Sequence, residues 1–286
     1  MTDFAPKRIL CPVDFSEHSA AALRFAGGIA KAFNAEVIVL HVQRLEAPVY
    51  FTVAQTQALK TQLHRSTRAA QKHVREFAGT HLDSLAPAVL IVEDDPVAAI
   101  LKTQQETGAD LIAMGTHGRG GLARLELGSV AESILRQAKV PVVTVGPHVQ
   151  HAATLGTIHR VLCPVNYKPI AHVSLAHAAA LAAKTNAELL VVHIEEQRES
   201  APDSLKELCG WISPDTRGRC AVKEVVRQGI AAEQIVAEAE SYHADLLVIG
   251  AQPRTRLQTV LLGSTTELVI RNAPCPVLSV IGSPLA

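Results

Sequence analysis

The sequence has few aromatic residues and no excess of charge of either sign. Phe, Trp and Tyr make up 3% of the 286 residues, and Lys+Arg and Asp+Glu each number 27, so the formal net charge is +0. A chain without a basic excess is a poor candidate for nucleic-acid binding, because contacts to phosphate dominate that affinity. The apolar residues, 48% of the chain, are mostly aliphatic, which is typical of buried parallel strands and the helices that cover them.

Long apolar runs are also missing. None approaches the ~20 residues that a membrane-spanning helix needs, and residues 1–4 do not begin a signal peptide. We therefore expect a cytoplasmic protein without membrane association. In that reducing compartment Cys209 and Cys220, which flank a loop, are expected to be free thiols, the alternatives being a disulfide or a metal site. No spacing of His and Cys predicts a metal centre.

The sequence contains an internal duplication. Residues 9–42 align without a gap with residues 161–194, at an offset of 152 (161 − 9). Residues 109–115 align with residues 244–250 at an offset of 135 (244 − 109), as does Gly128-Ser129 with Gly263-Ser264. Two ungapped blocks in the same order indicate duplication. We predict two domains, residues 1–147 and residues 158–286, joined by a linker at 148–157.

Strands and helices are predicted to alternate in each copy. In the first copy strands are predicted at 8–13, 36–42, 88–93, 110–115 and 140–145, and helices at 19–33, 55–80, 96–106 and 128–137. Ser16 is a candidate N-cap for the first helix. This alternation predicts an α/β fold of two tandem doubly wound parallel sheets.

A glycine-containing loop follows the fourth predicted strand. The strand ends at Gly115, Gly118 follows, and Gly128-Ser129 opens the next helix. Glycines at a strand end and a helix start let backbone N–H groups approach a phosphate, and the helix N-terminus adds free donors. Arg119 and Arg124 could neutralise phosphate charge. The pattern is neither a Walker A loop nor a dinucleotide fingerprint. On its own it is as compatible with plain turn and cap roles as with phosphate binding.

The complete motif resembles the ATP-binding motif of the universal stress protein family. The shared features are G-x2-G-x9-G-[ST] after Met114-Gly115, Pro-x-Asp at residues 12–14, a strand ending in His41-Val42, and Gly-Ser-Val-Ala-Glu at residues 128–132. The resemblance covers nearly the whole chain, twice. It implies Rossmann-like domains of the adenine-nucleotide-hydrolase type, with ATP, either alone or together with Mg²⁺, at the carboxyl ends of the strands.

The resemblance also implies a set of nucleotide-binding residues. Asp14 would hold the ribose hydroxyls, since a carboxylate can accept from two vicinal hydroxyls at once; the alternative is a local cap beside Ser16. The other implied contacts are Pro12, Val13 and Val42 to adenine; Met114 and Gly115 to the nucleoside; and His117, Gly118, Arg119, Gly128, Ser129 and Val130 to the phosphates.

Each copy departs from the family pattern. The third strand is followed by Asp94-Asp95, a pair that could serve a divalent ion or cap the next helix, the cap being favoured. In the second copy Asn166 replaces Asp14 and Pro253 replaces Gly118. Because Pro offers no N–H, we expect weak or no ATP binding in that copy.

The resemblance predicts a regulatory stress-response protein rather than a turnover enzyme. No nucleophile–base or paired-carboxylate arrangement is evident. The alternatives are a structural interaction module that does not bind ATP, and a slow ATPase or autophosphorylating enzyme. An adenine nucleotide, an unidentified protein and a second copy of the chain are the expected partners.

The last strand of each copy predicts how the two copies associate. Residues 140–145 and 275–280 would each leave an unpaired sheet edge. Single-domain relatives that the copies resemble pair these strands antiparallel across a dimer axis. The chain is therefore expected to form an intramolecular pseudo-dimer, with Val142 and Val277 near the junction.

Overall fold

A computed structural model describes most of the chain. The described residues are 4–43, 68–83, 85–118, 127–149, 156–196, 204–251, 254–256, 259–261 and 263–281.

The first copy has the predicted alternation of strands and helices. Its elements are β1 (Arg8–Pro12), α1 (Glu17–Phe33), β2 (Glu36–Gln43), α2 (residues 68–81), β3 (Ala88–Glu93), α3 (Pro96–Thr107), β4 (Leu111–Gly115), α4 (Ser129–Gln137) and β5 (Val142–Val145). The predicted start of α2 lies outside the described residues. Helix α1 begins two residues earlier than predicted, because the Ser16 side chain accepts from the N–H of Ser19 and caps it.

The second copy repeats the framework with different connections. Its elements are β6 (Arg160–Val165), α5 (Pro169–Thr185), β7 (Glu188–Glu195), α6 (Ser204–Trp211), α7 (Pro214–Arg219), β8 (Val222–Gln228), α8 (Ala231–Ser241), β9 (Leu246–Ala251), β10 (Arg254–Arg256), β11 (Thr259–Leu261), α9 (Ser264–Asn272) and β12 (Val277–Ile281). Two short helices, α6 and α7, lie between β7 and β8, and an antiparallel hairpin, β10–β11, follows β9.

The large strands form one ten-stranded sheet across both copies. Its order is β3-β2-β1-β4-β5-β12-β9-β6-β7-β8. Strands pair in parallel within each copy, and β5 pairs antiparallel with β12. The predicted intramolecular pseudo-dimer is therefore confirmed, whereas the exact domain boundaries stay a prediction.

The junction between the copies is fully buried. Leu278 lies opposite Val143, and Val277 and Ser279 lie opposite Thr144 and Val142. Val143 and Leu278 are both 0% exposed. Both strands begin one residue after a proline, Pro141 and Pro276, rather than at the predicted positions, because Pro has no N–H to give to a ladder.

The end of the linker packs closely against the first copy. A Cβ built on Gly28 of α1 would lie 2.1 Å from the carbonyl oxygen of Gly156. The chain therefore crosses α1 so closely that position 28 has no space for a side chain.

We predict that Val143→Asp combined with Leu278→Asp destabilises both copies. The two carboxylates would be buried, unpaired and directly opposite each other, which should cost more than about 3 kcal/mol of unfolding free energy. Thermal and denaturant unfolding measure the loss. Leu268→Asp is the matched control, since Leu268 is 44% exposed on α9. A double variant that unfolds like the parent would contradict the paired junction.

Candidate functional site

The candidate site lies where β1 and β4 end, beside the N-termini of α1 and α4. Strands β1 and β4 are neighbours in the sheet and run parallel, so their carboxyl ends meet at one edge. Asp14 follows β1, and residues 116–118 follow β4. The fold therefore brings together two parts of the motif that are about a hundred residues apart in the chain.

Asp14 has both a local and a long-range contact. One carboxylate oxygen, Oδ1, accepts from the Ser16 N–H at 3.1 Å and from the Ser16 hydroxyl at 2.6 Å. The other oxygen, Oδ2, faces Gly118, where an added Cβ would lie 2.6 Å from it. The local cap considered as an alternative is present, and Oδ2 lies on the side of the carboxylate that faces the loop.

The glycines of the motif hold the strand end against two helices. The Gly128 N–H donates to the Thr116 carbonyl at 2.8 Å, and a Cβ at Gly128 would lie 2.6 Å from that oxygen. A Cβ at Gly115 would lie 2.9 Å from the His18 carbonyl carbon in α1. Side chains at either position would push a helix away from β4, so the geometry of the site depends on these glycines.

The N-terminus of α4 is not capped by a side chain. Gly128 is its N-cap residue and makes no side-chain cap hydrogen bond. Ser129 is exposed. The unpaired N–H groups of the first turn, together with the positive end of the helix dipole, form a general anion-binding arrangement.

His117 and His18 lie side by side next to this helix end. Their ring centroids are 5.6 Å apart. Nδ1 of His117 is 2.8 Å from the Thr116 hydroxyl, whereas its buried Nε2 has no hydrogen-bond partner in the part of the chain that the structure describes. Burial lowers the pKa of His18, and the nearby His117 lowers it further, opposed by Glu17 and Asp14. A ring nitrogen of this kind can donate or accept a hydrogen bond, depending on the tautomer of the ring.

The apolar residues of the predicted site divide between the two faces of the sheet. Val13 belongs to the core on the α1 face. Met114, Val42 and Val130 belong to the core on the opposite face, beside α3 and α4. Met114 is buried, and Pro12, Val42 and Val130 are partly exposed. The structure therefore gathers Met114, Val42 and Val130 on one side, with Val13 on the other.

Several sequence hypotheses have separate outcomes. Arg119, Arg124 and Pro253 lie outside the described residues. Asp95 accepts from the N–H groups of Val97 and Ala98 and is the N-cap of α3, so the favoured cap interpretation is confirmed. Cys209 and Cys220 are free thiols. Over the described ranges no group of three or more His, Cys, Asp and Glu could hold a metal.

Sequence reasoning missed two residues of the site. His18 was not singled out. It lies in the first turn of α1 and contacts Gly115, a contact that could be expected only if β1 and β4 were known to be neighbours. Phe15, with a left-handed φ of 65°, turns the chain between Asp14 and Ser16. Its ring lies 4.6 Å from that of His41, whose Nδ1 is 2.8 Å from the Val13 carbonyl oxygen.

Within the described residues, no helix combines the length and the apolar character that crossing a bilayer requires.

Comparisons with known proteins agree with this architecture. The model of the universal stress protein family matches residues 6–146 and 212–280. A universal stress protein of Mycolicibacterium smegmatis is 28% identical over 95% of this chain and 96% of its own length. Universal stress protein MJ0531 of Methanocaldococcus jannaschii is 34% identical over 49% of this chain and 81% of its own.

A solved structure has the same tandem fold. The crystal structure of a universal stress protein from Archaeoglobus fulgidus matches with a TM-score of 0.74 at 24% identity, over 96% of this chain and 98% of that one. The family match covers both halves of a duplicated sequence whose strands form one continuous sheet. The chain belongs to the universal stress protein family.

Proposed function

We propose that the chain is a regulatory protein that binds ATP in its first copy. The observation that carries this proposal is the position of the Asp14 carboxylate against the backbone of Gly118, beside the uncapped start of α4. A hydroxyl-binding carboxylate and an anion-binding helix end are the two groups that a ribose phosphate requires.

The residues present fit such a ligand. Oδ2 of Asp14 would accept from the ribose hydroxyls, while Oδ1 stays fixed by Ser16. The first-turn N–H groups of α4 and the Ser129 hydroxyl would donate to phosphate oxygens. His117 Nε2, buried without a partner, would donate to the same oxygens. Val42 and Met114 would border the adenine. Bound Mg²⁺ would neutralise phosphate charge; no side chain is assigned to it.

We further propose regulation rather than turnover, a cytoplasmic location, and association with a protein partner or a second copy of the chain. The support for regulation is that Asp14 accepts two hydrogen bonds from Ser16, which would hold its carboxylate toward the proposed ribose site rather than place it as a general base. Calorimetric and enzymatic assays on the same preparation test this. ATP should bind, and its hydrolysis should be much slower than its binding.

The first prediction concerns stoichiometry. The parent should bind about one ATP per chain by isothermal titration calorimetry, because Asn166 and Pro253 replace Asp14 and Gly118 in the second copy. Asp14→Asn copies that replacement into the first site and should weaken binding at least tenfold, since hydrogen bonds to a charged group contribute about 1.5–3 kcal/mol. Asp215→Asn, on α7, is the control. Two equivalent sites in the parent would refute the proposed division between the copies.

The second prediction concerns Gly118. In Gly118→Ala the new Cβ would collide with Asp14 Oδ2, and Gly118→Pro would in addition remove an N–H donor. Both should raise the Kd for ATP, the proline variant by about 10- to 150-fold. Gly79→Ala is the matched control, because no atom lies within 4 Å of a Cβ at that position. If both variants fold and keep the parent Kd, Gly118 does not face the nucleotide.

The third prediction concerns pH. His18 has a lowered pKa in the free protein, and phosphate beside it would raise that pKa. ATP binding should therefore take up protons in the pH range between the free and bound pKa values, and affinity should rise as the pH falls through that range. Calorimetry in buffers of different ionisation enthalpy measures the uptake. His18→Gln should reduce it; an unchanged uptake would place the titrating group elsewhere.

A further inference from the structure

The second copy contains a large cavity at the position equivalent to the ATP site. Its volume is about 690 Å³, and it lies at the ends of β6, β7 and β9, beside the N-terminus of α9. A volume of this size suits a small ligand. Asn166 and Ser264, the counterparts of Asp14 and Ser129, are among its lining residues.

The described residues that line this cavity carry a negative net charge. Among them are three carboxylates, Glu195, Glu196 and Glu207, and one lysine, Lys168. Three carboxylates and one ammonium give −2 (+1 − 3), and the positive end of α9 returns only about half a charge. None of the three carboxylates forms an ion pair among the described residues. Among the described residues, the Glu195 carboxylate accepts hydrogen bonds from the neutral side chains of Ser204 and Gln228.

The first copy has a different charge at the same positions. Strand β7 aligns with β2 of the first copy at an offset of 152 residues (188 − 36). Glu195 therefore corresponds to Gln43, and Glu196 to Arg44. At these two aligned positions the first copy has an amide and an arginine, whereas the second copy has two carboxylates. This reversal disfavours a triphosphate and favours a cation.

An aromatic ring lies next to these carboxylates. Tyr167 lines the cavity, and its ring centroid is 4.4 Å from that of His193 and 5.6 Å from that of Trp211. Its hydroxyl is buried and has no hydrogen-bond partner among the residues that the structure describes. Burial, together with the nearby Glu207 and Glu195, raises the pKa of Tyr167 to about 12. Carboxylates around an aromatic ring are the groups that recognise an organic ammonium, through charge-assisted hydrogen bonds and cation–π contact.

We propose that the cavity of the second copy binds an aliphatic polyamine and does not bind ATP. The ammonium groups would pair with Glu195, Glu196 and Glu207, the methylene chain would lie along Ile194 and Ile235, and the Tyr167 hydroxyl would gain a partner. The site is independent of the ATP site, so its test does not depend on nucleotide binding.

Spermidine is the probe, titrated at physiological ionic strength without nucleotide. Trp211 is the only tryptophan of the chain and contacts Tyr167, so its fluorescence reports on this cavity. Spermidine should change that fluorescence saturably and raise the Tm. Glu207→Gln should weaken binding about tenfold or more, and it should fold normally because Glu207 lies on the exposed side of α6. Glu195→Gln should act in the same way.

Glu233→Gln, which removes an exposed carboxylate of α8, is the matched control and should leave the spermidine Kd unchanged. The proposal is overturned if spermidine causes no saturable change, or if all three variants weaken it equally, which would indicate general attraction to an acidic surface. It is also overturned if ATP or adenosine changes the Trp211 signal at lower concentration than spermidine does.

Discussion

The antiparallel pairing of β5 with β12 is the interaction on which the rest of the structure depends. It joins two parallel sheets into one and removes the two edges that the duplication would otherwise expose. Because Val143 and Leu278 are fully buried there, neither copy has a complete core without the other. The two candidate ligand sites are thereby held in one rigid sheet while remaining free to diverge in sequence.

That divergence is the functional consequence of the duplication. Both copies keep a helix that begins after a glycine, α4 after Gly128 and α9 after Gly263, and among the described residues neither helix has a side-chain cap. Around this common anion-binding end, the first copy places Asp14 and His117. The second places Asn166 and three glutamates. If both proposals hold, the same backbone binds ligands of opposite charge, because the side chains at the strand ends differ between the copies.

Much of the fold was predictable because its signals are local or repeated. The Ser16 and Asp95 caps follow from side-chain oxygens that accept from nearby N–H groups. The pairing of the last strands followed from the resemblance rather than from periodicity. The α6–α7 pair and the β10–β11 hairpin had no such signal. The close contact between Gly28 and Gly156 depends on the relative position of the linker and the helix. No local pattern in the sequence predicts that position.

For the candidate site, the sequence analysis proposes individual residues but not how they are arranged in space. Asp14 and Gly118 were both expected to contact the nucleotide, but their contact with each other depends on β1 and β4 being neighbours. His18 was missed for the same reason.

The most direct test of the account is photo-crosslinking with 8-azido-ATP followed by mapping of the labelled peptides. We predict label only within residues 1–147, competed by ATP. Equal labelling of residues 158–286 would contradict a single nucleotide site in the first copy.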